Sequence, residues 1–229
     1  CWNPVLFQPE EGPLMLFYKV GPNPRDWWGM LTSSEDGGKS WSWPTKLGDS
    51  WAIGHLLGPV KNKPIQLEDG TIICPSSSEI DTEDGPLWRV HFEVSRDQGK
   101  TWEVIGPIHN GETWQAIQPS LLTYGDGRMQ VLCRSRQKSV VQSWSSDNGK
   151  TWSAVTATEL PNPNSGTDAV TLADGRQLII YNHSEGMVTP EDAPALKPRH
   201  ILNLAISKDG ESWDPVLPLE QETGEHPKE

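Results

Sequence analysis

Two places in the chain combine residue types that can do chemistry. Glu79 follows three hydroxyls, Ser76-Ser77-Ser78, and two guanidiniums, Arg134 and Arg136, close the apolar run Val131-Leu132-Cys133. A carboxylate beside hydroxyls suits a general acid or base, or the partner of a nucleophilic hydroxyl. Arginine suits an anionic ligand, because its fork grips a carboxylate through two parallel hydrogen bonds. Plainer readings stand beside both: Glu79 heads an acidic loop from Glu79 to Asp84, and long cations decorate loop ends. Further along, Asp168 and Tyr181 supply a second carboxylate and a phenol. Asp168 can equally pin the turn formed by Asn164 to Thr167.

The elements that must position these groups follow from an internal repeat. Ser34-x-Asp36-x-Gly38-x-x-Trp41 recurs as Ser95-x-Asp97-x-Gly99-x-x-Trp102 and Ser145-x-Asp147-x-Gly149-x-x-Trp152. A fourth copy, Ser207-x-Asp209-Gly210-x-x-Trp213, is one residue shorter. The tryptophans lie 61, 50 and 61 residues apart. In each copy the Asp can bond turn amides, the Gly can take positive φ, and the Trp can fold back over the hairpin, so these aspartates read as structural. Upstream of each copy an acidic residue and Gly separate two apolar runs, at Glu11-Gly12, Asp69-Gly70, Asp126-Gly127 and Asp174-Gly175, a hairpin signature. Each unit therefore reads as four antiparallel strands, for the third near Ser120 to Tyr124, Arg128 to Cys133, Val140 to Ser145 and a piece after Trp152. The fold class is all-β: a β-propeller with four blades, approximately 1–50, 51–112, 113–160 and 161–229, within one domain. Four blades read as part of a longer propeller.

This topology sorts the chain into two faces. The first and third turns of every blade share one face, so the start of the first strand and the end of the second share the other. Ligands are expected on that second face, over the central channel. The first-strand starts place Asn3, Lys61, Asn62, Lys63, Gln118 and Asn164 there, and the second-strand ends add Lys19, Glu79, Arg134, Arg136, Tyr181 and Asn182. In a chain with 31 acidic and 19 basic residues, net charge −12, cations gathered at one mouth point to a small anionic ligand. The same acidity argues against nucleic acid or an anionic membrane as partner, since phosphate surfaces need clustered Lys and Arg. No apolar run has the length of a membrane span. Twelve Trp, 21 Gly and 20 Pro disfavour long helices.

Three cysteines at wide spacing, Cys1, Cys74 and Cys133, signal neither a disulfide framework nor a zinc site. His55 and His183 read as loop residues and His91 as a strand residue, with no metal-ligand spacing, so no metal is expected. GxGxxG, P-loop and GxSxG motifs do not occur, and no cofactor is expected.

The four boxes resemble the Asp-box, or BNR, repeats of the sialidase (neuraminidase) superfamily. Cys1-Trp2-Asn3-Pro4-Val5-Leu6-Phe7, Gly58-Pro59-Val60-Lys61-Asn62-Lys63-Pro64-Ile65 and Leu160-Pro161-Asn162-Pro163-Asn164-Ser165-Gly166 are similar to the BNR branch labelled predicted neuraminidases. The resemblance implies a six-bladed propeller that removes terminal sialic acid from glycans. It implies an arginine cluster on the sugar carboxylate, an Asp acid/base, and a Tyr nucleophile polarised by a Glu, a recognised exception among glycosidases. Arg134 or Arg136 fits part of the arginine cluster, Glu79 fits the acidic partner, and Tyr181 is a loose match to the nucleophile. The family's first arginine motif and its acid/base Asp have no counterpart near the start of this chain. The implied partner is an acidic glycan. Two other functions stay open: a lyase or hydrolase of uronate polysaccharides, and a propeller that binds glycan without turning it over.

Overall fold

The computed structural model describes residues 1–184, 199 and 201–220, and all eighteen of its elements are strands. Four sheets of four strands follow one another. The first is β1 (Trp2–Phe7), β2 (Leu14–Val20), β3 (Trp28–Ser34) and β4 (Thr45–Lys46). A small hairpin of β5 (Asp49–Ser50) and β6 (Gly54–His55) leads to the second sheet, β7 (Ile65–Gln66), β8 (Ile72–Thr82), β9 (Gly85–Ser95) and β10 (Glu103–Ile105). The third holds β11 (Ala116–Thr123), β12 (Met129–Ser135), β13 (Ser139–Ser145) and β14 (Thr156–Pro161). The fourth holds β15 (Asp168–Thr171), β16 (Gln177–Asn182), β17 (Leu202–Ser207) and β18 (Asp214–Glu220). Every pairing is antiparallel and sequential, so each sheet is one blade of a β-propeller.

The repeated turns work as hydrogen-bond knots. Asp36 Oδ1 accepts the amides of Lys39 and Ser40 at 2.9 Å each, Ser34 Oγ accepts the Gly38 amide at 2.8 Å, and Trp41 Nε1 returns a bond to Gly38 O at 3.1 Å. The same set recurs around Asp97 and Asp147. With one residue fewer, Asp209 still accepts the Glu211 and Ser212 amides at 2.8 Å. Hydrogen bonds from the hydroxyl of Ser40, and of Thr101 and Thr151 in the next two copies, pull Asp36, Asp97 and Asp147 down to about 2. These carboxylates are fully engaged in the turns. On the same face Gly70, Gly127 and Gly175 close the first turns at φ near 84 to 85°, the left-handed conformation that a Cβ disfavours.

Blades pack through shared apolar clusters, and the turn tryptophans are placed inside them. Trp102 meets Phe17 edge-on at 5.9 Å where the first two blades join, and Trp152 stacks on Phe92 at 4.4 Å where the second and third join. Trp213 lies among Leu122, Leu132, Leu160 and Ile179 between the third and fourth. Each Trp thus staples its blade to the preceding one, beyond covering its own hairpin. Cys74 and Cys133 are buried free thiols in these clusters, and burial pushes both thiols up. Among the described residues no helix is long and apolar enough to cross a membrane.

Two local expectations are corrected. Residues 79–82 are strand and only 83–84 form a turn, because β8 and β9 continue as a ladder out to Thr82 opposite Gly85, with Glu79 facing Trp88 and Ile80 facing Leu87. His55 lies in β6 and bonds Asp49, so it is not a free loop residue. The two-residue strands β5 and β6 carry too short a pattern for periodicity to register.

His109, after β10, accepts the Val90 amide on Nε2 at 3.1 Å, and burial lowers it from 6.5 to about 4. Between those values the unfolded chain takes up a proton that the folded one refuses, so stability falls as pH drops through that window and this contribution ends below pH 4. Urea midpoints measured at pH 7, 5.5 and 4 should show it, and His109→Gln, which keeps an acceptor, should flatten the decline.

Candidate active site at the channel mouth

The channel face is built by a backbone device at the first-strand starts. Asn3, Lys61, Gln118 and Asn164 all have positive φ, between 44 and 74°, which is uncommon for residues with a side chain. At Asn3-Pro4 and Gln118-Pro119 the ladder register also breaks, between Trp2 and Val5 and between Ile117 and Ser120. A bulge of this kind re-aims a side chain, and local strain persists where the surroundings hold it. Asn3 and Gln118 both line a cavity of about 140 Å³ together with Ser77, Glu79 and Arg134. Five of its lining groups are therefore polar, drawn from the first three blades.

Arg134 is held on two sides. Its Nη1 donates to Gln118 Oε1 at 3.3 Å, and its guanidinium carbon lies 5.3 Å from the centre of the Trp88 ring. Arg136 stacks on the same indole at 4.0 Å and donates to Pro86 O at 3.3 Å. Trp88 in turn donates from Nε1 to Glu79 Oε2 at 3.0 Å. Trp88 thus organises both arginines and the carboxylate. Burial lowers the Arg134 guanidinium, as do the like charges of Arg199 and Arg136, while Glu79 acts in the opposite direction. Its buried Nε has no hydrogen-bond partner among the described residues.

A second group joins three blades beside this cavity. Asp168 Oδ1 and Oδ2 each accept Lys63 Nζ at 3.0 Å, and Oδ1 also accepts Asn62 Nδ2 at 3.2 Å and Ser120 Oγ at 3.3 Å. Lys61 Nζ donates to Thr167 O at 2.6 Å, and Asn62 donates to the same carbonyl at 3.0 Å. Burial lowers the Lys61 ammonium, Asp168 supports its charge, and Arg134 and Lys63 oppose it. Asp168 therefore ties the second, third and fourth blades together and does not pin the Asn164 turn. Asn164 O accepts Arg199 Nη2 at 3.0 Å instead.

Three candidates are placed elsewhere. Lys19 is wholly buried, with Nζ on Pro59 O at 2.8 Å, and burial brings it down to about 8 against the support of Glu93. Tyr181 is wholly buried in the cluster between the third and fourth blades; its hydroxyl bonds His183, and burial pushes it up to about 12. Asn182 spans to Arg199 O at 2.7 Å and so fastens backbone. The second strands turn Lys19 and Tyr181 into blade interfaces, and Asn182 onto the backbone that leads into β17 of its own blade. Two residues that sequence reasoning passed over matter here. Trp88 looks like one more core aromatic in sequence. Glu93 is a fully buried carboxylate that accepts the Leu57 and Gly58 amides at 2.8 and 2.7 Å, Ser76 Oγ at 3.3 Å and His91 Nε2 at 3.2 Å. Its period-2 position in an apolar strand was the only available signal. Among the described residues no group of three or more His, Cys, Asp or Glu is placed to hold a metal ion.

Residues 1–227 match the BNR repeat-like domain. The chain belongs to that family. None of the curated proteins matches it. Among solved structures the BNR repeat-like chain is similar to a protein of unknown function from Dyadobacter fermentans, with TM-score 0.73, 19% identity, and coverage of 96% of this chain and 65% of that one. It is also similar to a Hadza microbial sialidase, at TM-score 0.72, 18% identity, and 96% and 45% coverage. An α-L-arabinofuranosidase from Fusarium graminearum gives TM-score 0.68, 19% identity, and 94% and 66% coverage. At such identities the likeness is one of fold, and this BNR chain spans less than two thirds of each of those chains.

Trp88 should prove to be the support of the site. Trp88→Phe keeps a ring under the arginines but deletes the bond to Glu79, and should cost about 1 kcal/mol in urea unfolding. Trp88→Ala removes the buried ring as well and should cost about 3 to 5 kcal/mol.

Proposed function

We propose that this BNR propeller is a sialidase-like exo-glycosidase domain that takes a terminal sialic acid, or a related acidic sugar, at the channel mouth. One observation carries the reading: Arg134 and Glu79 line the same small cavity in a strongly acidic chain, each positioned through Trp88. The guanidinium is a fixed fork for the sugar's carboxylate, with the terminal N–H groups that its one bond to Gln118 leaves over as donors. Lys61 and Lys63 add positive potential, which draws an anion toward a mouth whose surroundings are negative. Sialidases and an arabinofuranosidase on the same fold lend support from relatives.

In this reading Glu79 is the acid/base group. Hydrolysis breaks the bond between the anomeric carbon and the bridging oxygen, the departing oxygen gains a proton, and water supplies the hydroxyl on the sugar. Glu79 relays that proton, with the Trp88 indole N–H bonded to its other oxygen side. Asp168, already receiving Lys63, Asn62 and Ser120, serves as an architectural anion that holds Lys63 at the mouth. Asn3 and Gln118, which line the same cavity, are the neighbouring contacts for the sugar's polar groups, while Arg136 and Asn164 stand outside its lining. Tyr181, buried against His183, has no part in it.

Turnover of a fluorogenic sialoside, and of a matching uronoside, tests the reading. Arg134→Ala should raise KM about 10- to 150-fold, the loss of roughly 1.5 to 3 kcal/mol in hydrogen bonds to a charged group. Glu79→Gln should lower kcat about 100-fold or more with KM little changed. A folded protein that cleaves neither glycoside, or an Arg134→Ala variant as active as the original, overturns it.

A further inference from the structure

On the face that carries the boxes, away from the channel mouth, the third blade departs from its neighbours. Leu67, Tyr124 and Leu172 are equivalent, since each gives its amide to the fourth residue on and takes the amide of the third, closing the first turn. A tyrosine thus stands where two other blades have leucine. Trp144 precedes its box serine where Ser33, Val94 and Ile206 precede theirs. The two rings lie 5.2 Å apart, and the Arg128 guanidinium covers both, at 5.3 Å from the centre of Tyr124 and 5.0 Å from that of Trp144. The turn chemistry of the repeat calls for no such set. It is nevertheless held firmly: Tyr124 donates to Gln130, Gln130 Nε2 donates to Gly210 O at 2.8 Å, and Asp126 Oδ2 accepts Arg128 Nε at 2.8 Å. Gly210 makes room for both rings, since a Cβ there would collide with the Tyr124 hydroxyl and the Trp144 indole.

Cavities flank Arg128 on two sides. One, of about 480 Å³, lies between the second and third blades, with Gln66, Glu68, Tyr124 and Asn148 in its walls. The other, of about 420 Å³, lies between the boxes of the third and fourth blades, with Trp144, Ser146 and Glu211 in its walls. At the level of the first turns the neighbouring junctions are instead closed by direct bonds, from the Glu10 amide to Gln66 Oε1 at 2.8 Å and from the Thr123 amide to Thr171 Oγ1 at 3.0 Å.

We propose that these two cavities form a second binding site, on the box face, for an uncharged oligosaccharide. Tyr124 lines one cavity and Trp144 the other, so each offers ring surface to the C–H face of a sugar. Trp144 Nε1, the Ser146 hydroxyl, the Asn148 amide and the Glu68 carboxylate make no hydrogen bond among the described residues, which leaves donors and acceptors on both sides of Arg128 for sugar hydroxyls. Charge decides against an acidic sugar. Arg128 is already paired with Asp126, and Glu68, Asp69 and Glu211 line the cavities beside it. Each cavity also exceeds the roughly 300 Å³ at which pockets enclose a small ligand, and a short chain of sugars passing Arg128 occupies both.

NMR titration with lactose, maltotriose and cellotriose tests the site, read on the Trp144 indole N–H and on the backbone amides of Ser146 and Asn148. At least one of the three sugars should shift these signals saturably. Trp144→Ala should weaken that binding about tenfold or more, and Ser146→Trp, which adds bulk from an exposed position on the wall, should do the same. An unchanged urea midpoint shows that each variant folds, and Ser146→Trp decides alone if Trp144→Ala does not. Signals that stay still with all three sugars, binding that Ser146→Trp leaves intact, an equal response to glucuronic acid, or a response to the polycation spermidine alone overturns the site. None of these residues serves the acidic-sugar reading, so sialoside turnover at the channel mouth stands or falls separately.

Discussion

Everything at the channel mouth depends on the register in which the second and third strands of each blade are locked. The turn serine fixes it: Ser34 stands opposite Leu14, Ser95 opposite Ile72, Ser145 opposite Met129 and Ser207 opposite Gln177. Its hydroxyl also takes a turn amide, so a slip by one residue would break the knot and turn every side chain of the strand to the other face. Counting five residues on from those partners reaches Lys19, Ser77, Arg134 and Asn182. All four are polar, in strands whose other inward positions are mostly apolar. A hydrogen-bond knot on one face of the propeller thereby decides which residues arrive at the opposite face, roughly 17 Å away at 3.3 to 3.4 Å per residue.

The four positions then diverge in use, and the divergence explains what the sequence made legible. The repeat, the all-β class, the blade count and the two faces follow from periodic turn chemistry, which is local and therefore visible in a single chain. Which way a polar strand-end residue leans depends on the neighbouring blade, and that is not local. Lys19 leans into the interface with the second blade because Pro59 O and Glu93 await it there; Arg134 leans over Trp88 and the cavity. Tyr181 was readable as a phenol near a strand end, yet Leu160 and Ala205 close over it. Trp88 was invisible because its role arises from the extension of β8 and β9 beyond the blade, where Glu79 becomes its cross-strand partner.

An acidic protein that gathers cations at one mouth must also hold those cations apart. Lys61 and Lys63 do so by dividing their acceptors: one takes Thr167 O, the other takes both oxygens of Asp168. Gly166 permits this approach, since a Cβ there would come within 3.0 Å of Lys61 Cε. Arg136 spends its charge on the Trp88 face. Arg134, by contrast, has only a 3.3 Å bond to an amide oxygen and a more distant ring. Like Arg136 it makes one hydrogen bond at 3.3 Å, but of the two it is Arg134 that lines the small cavity, which makes it the place for a carboxylate in the proposed reading.

Glu93 shows how far from the ligand such a site is organised. A buried carboxylate is costly unless paired and hydrogen-bonded, and here four donors converge on it while Lys19 supplies positive charge nearby. Two of those donors are the amides of Leu57 and Gly58, at the end of the segment that carries the β5–β6 hairpin and at the start of the run leading to Lys61, Asn62 and Lys63. Holding two successive amides fixes the direction of the chain on both sides. The β5–β6 hairpin and the lysines of the mouth are therefore set by one anchor. A site assembled from loops of several blades acquires its rigidity in this way from polar groups buried between the blades.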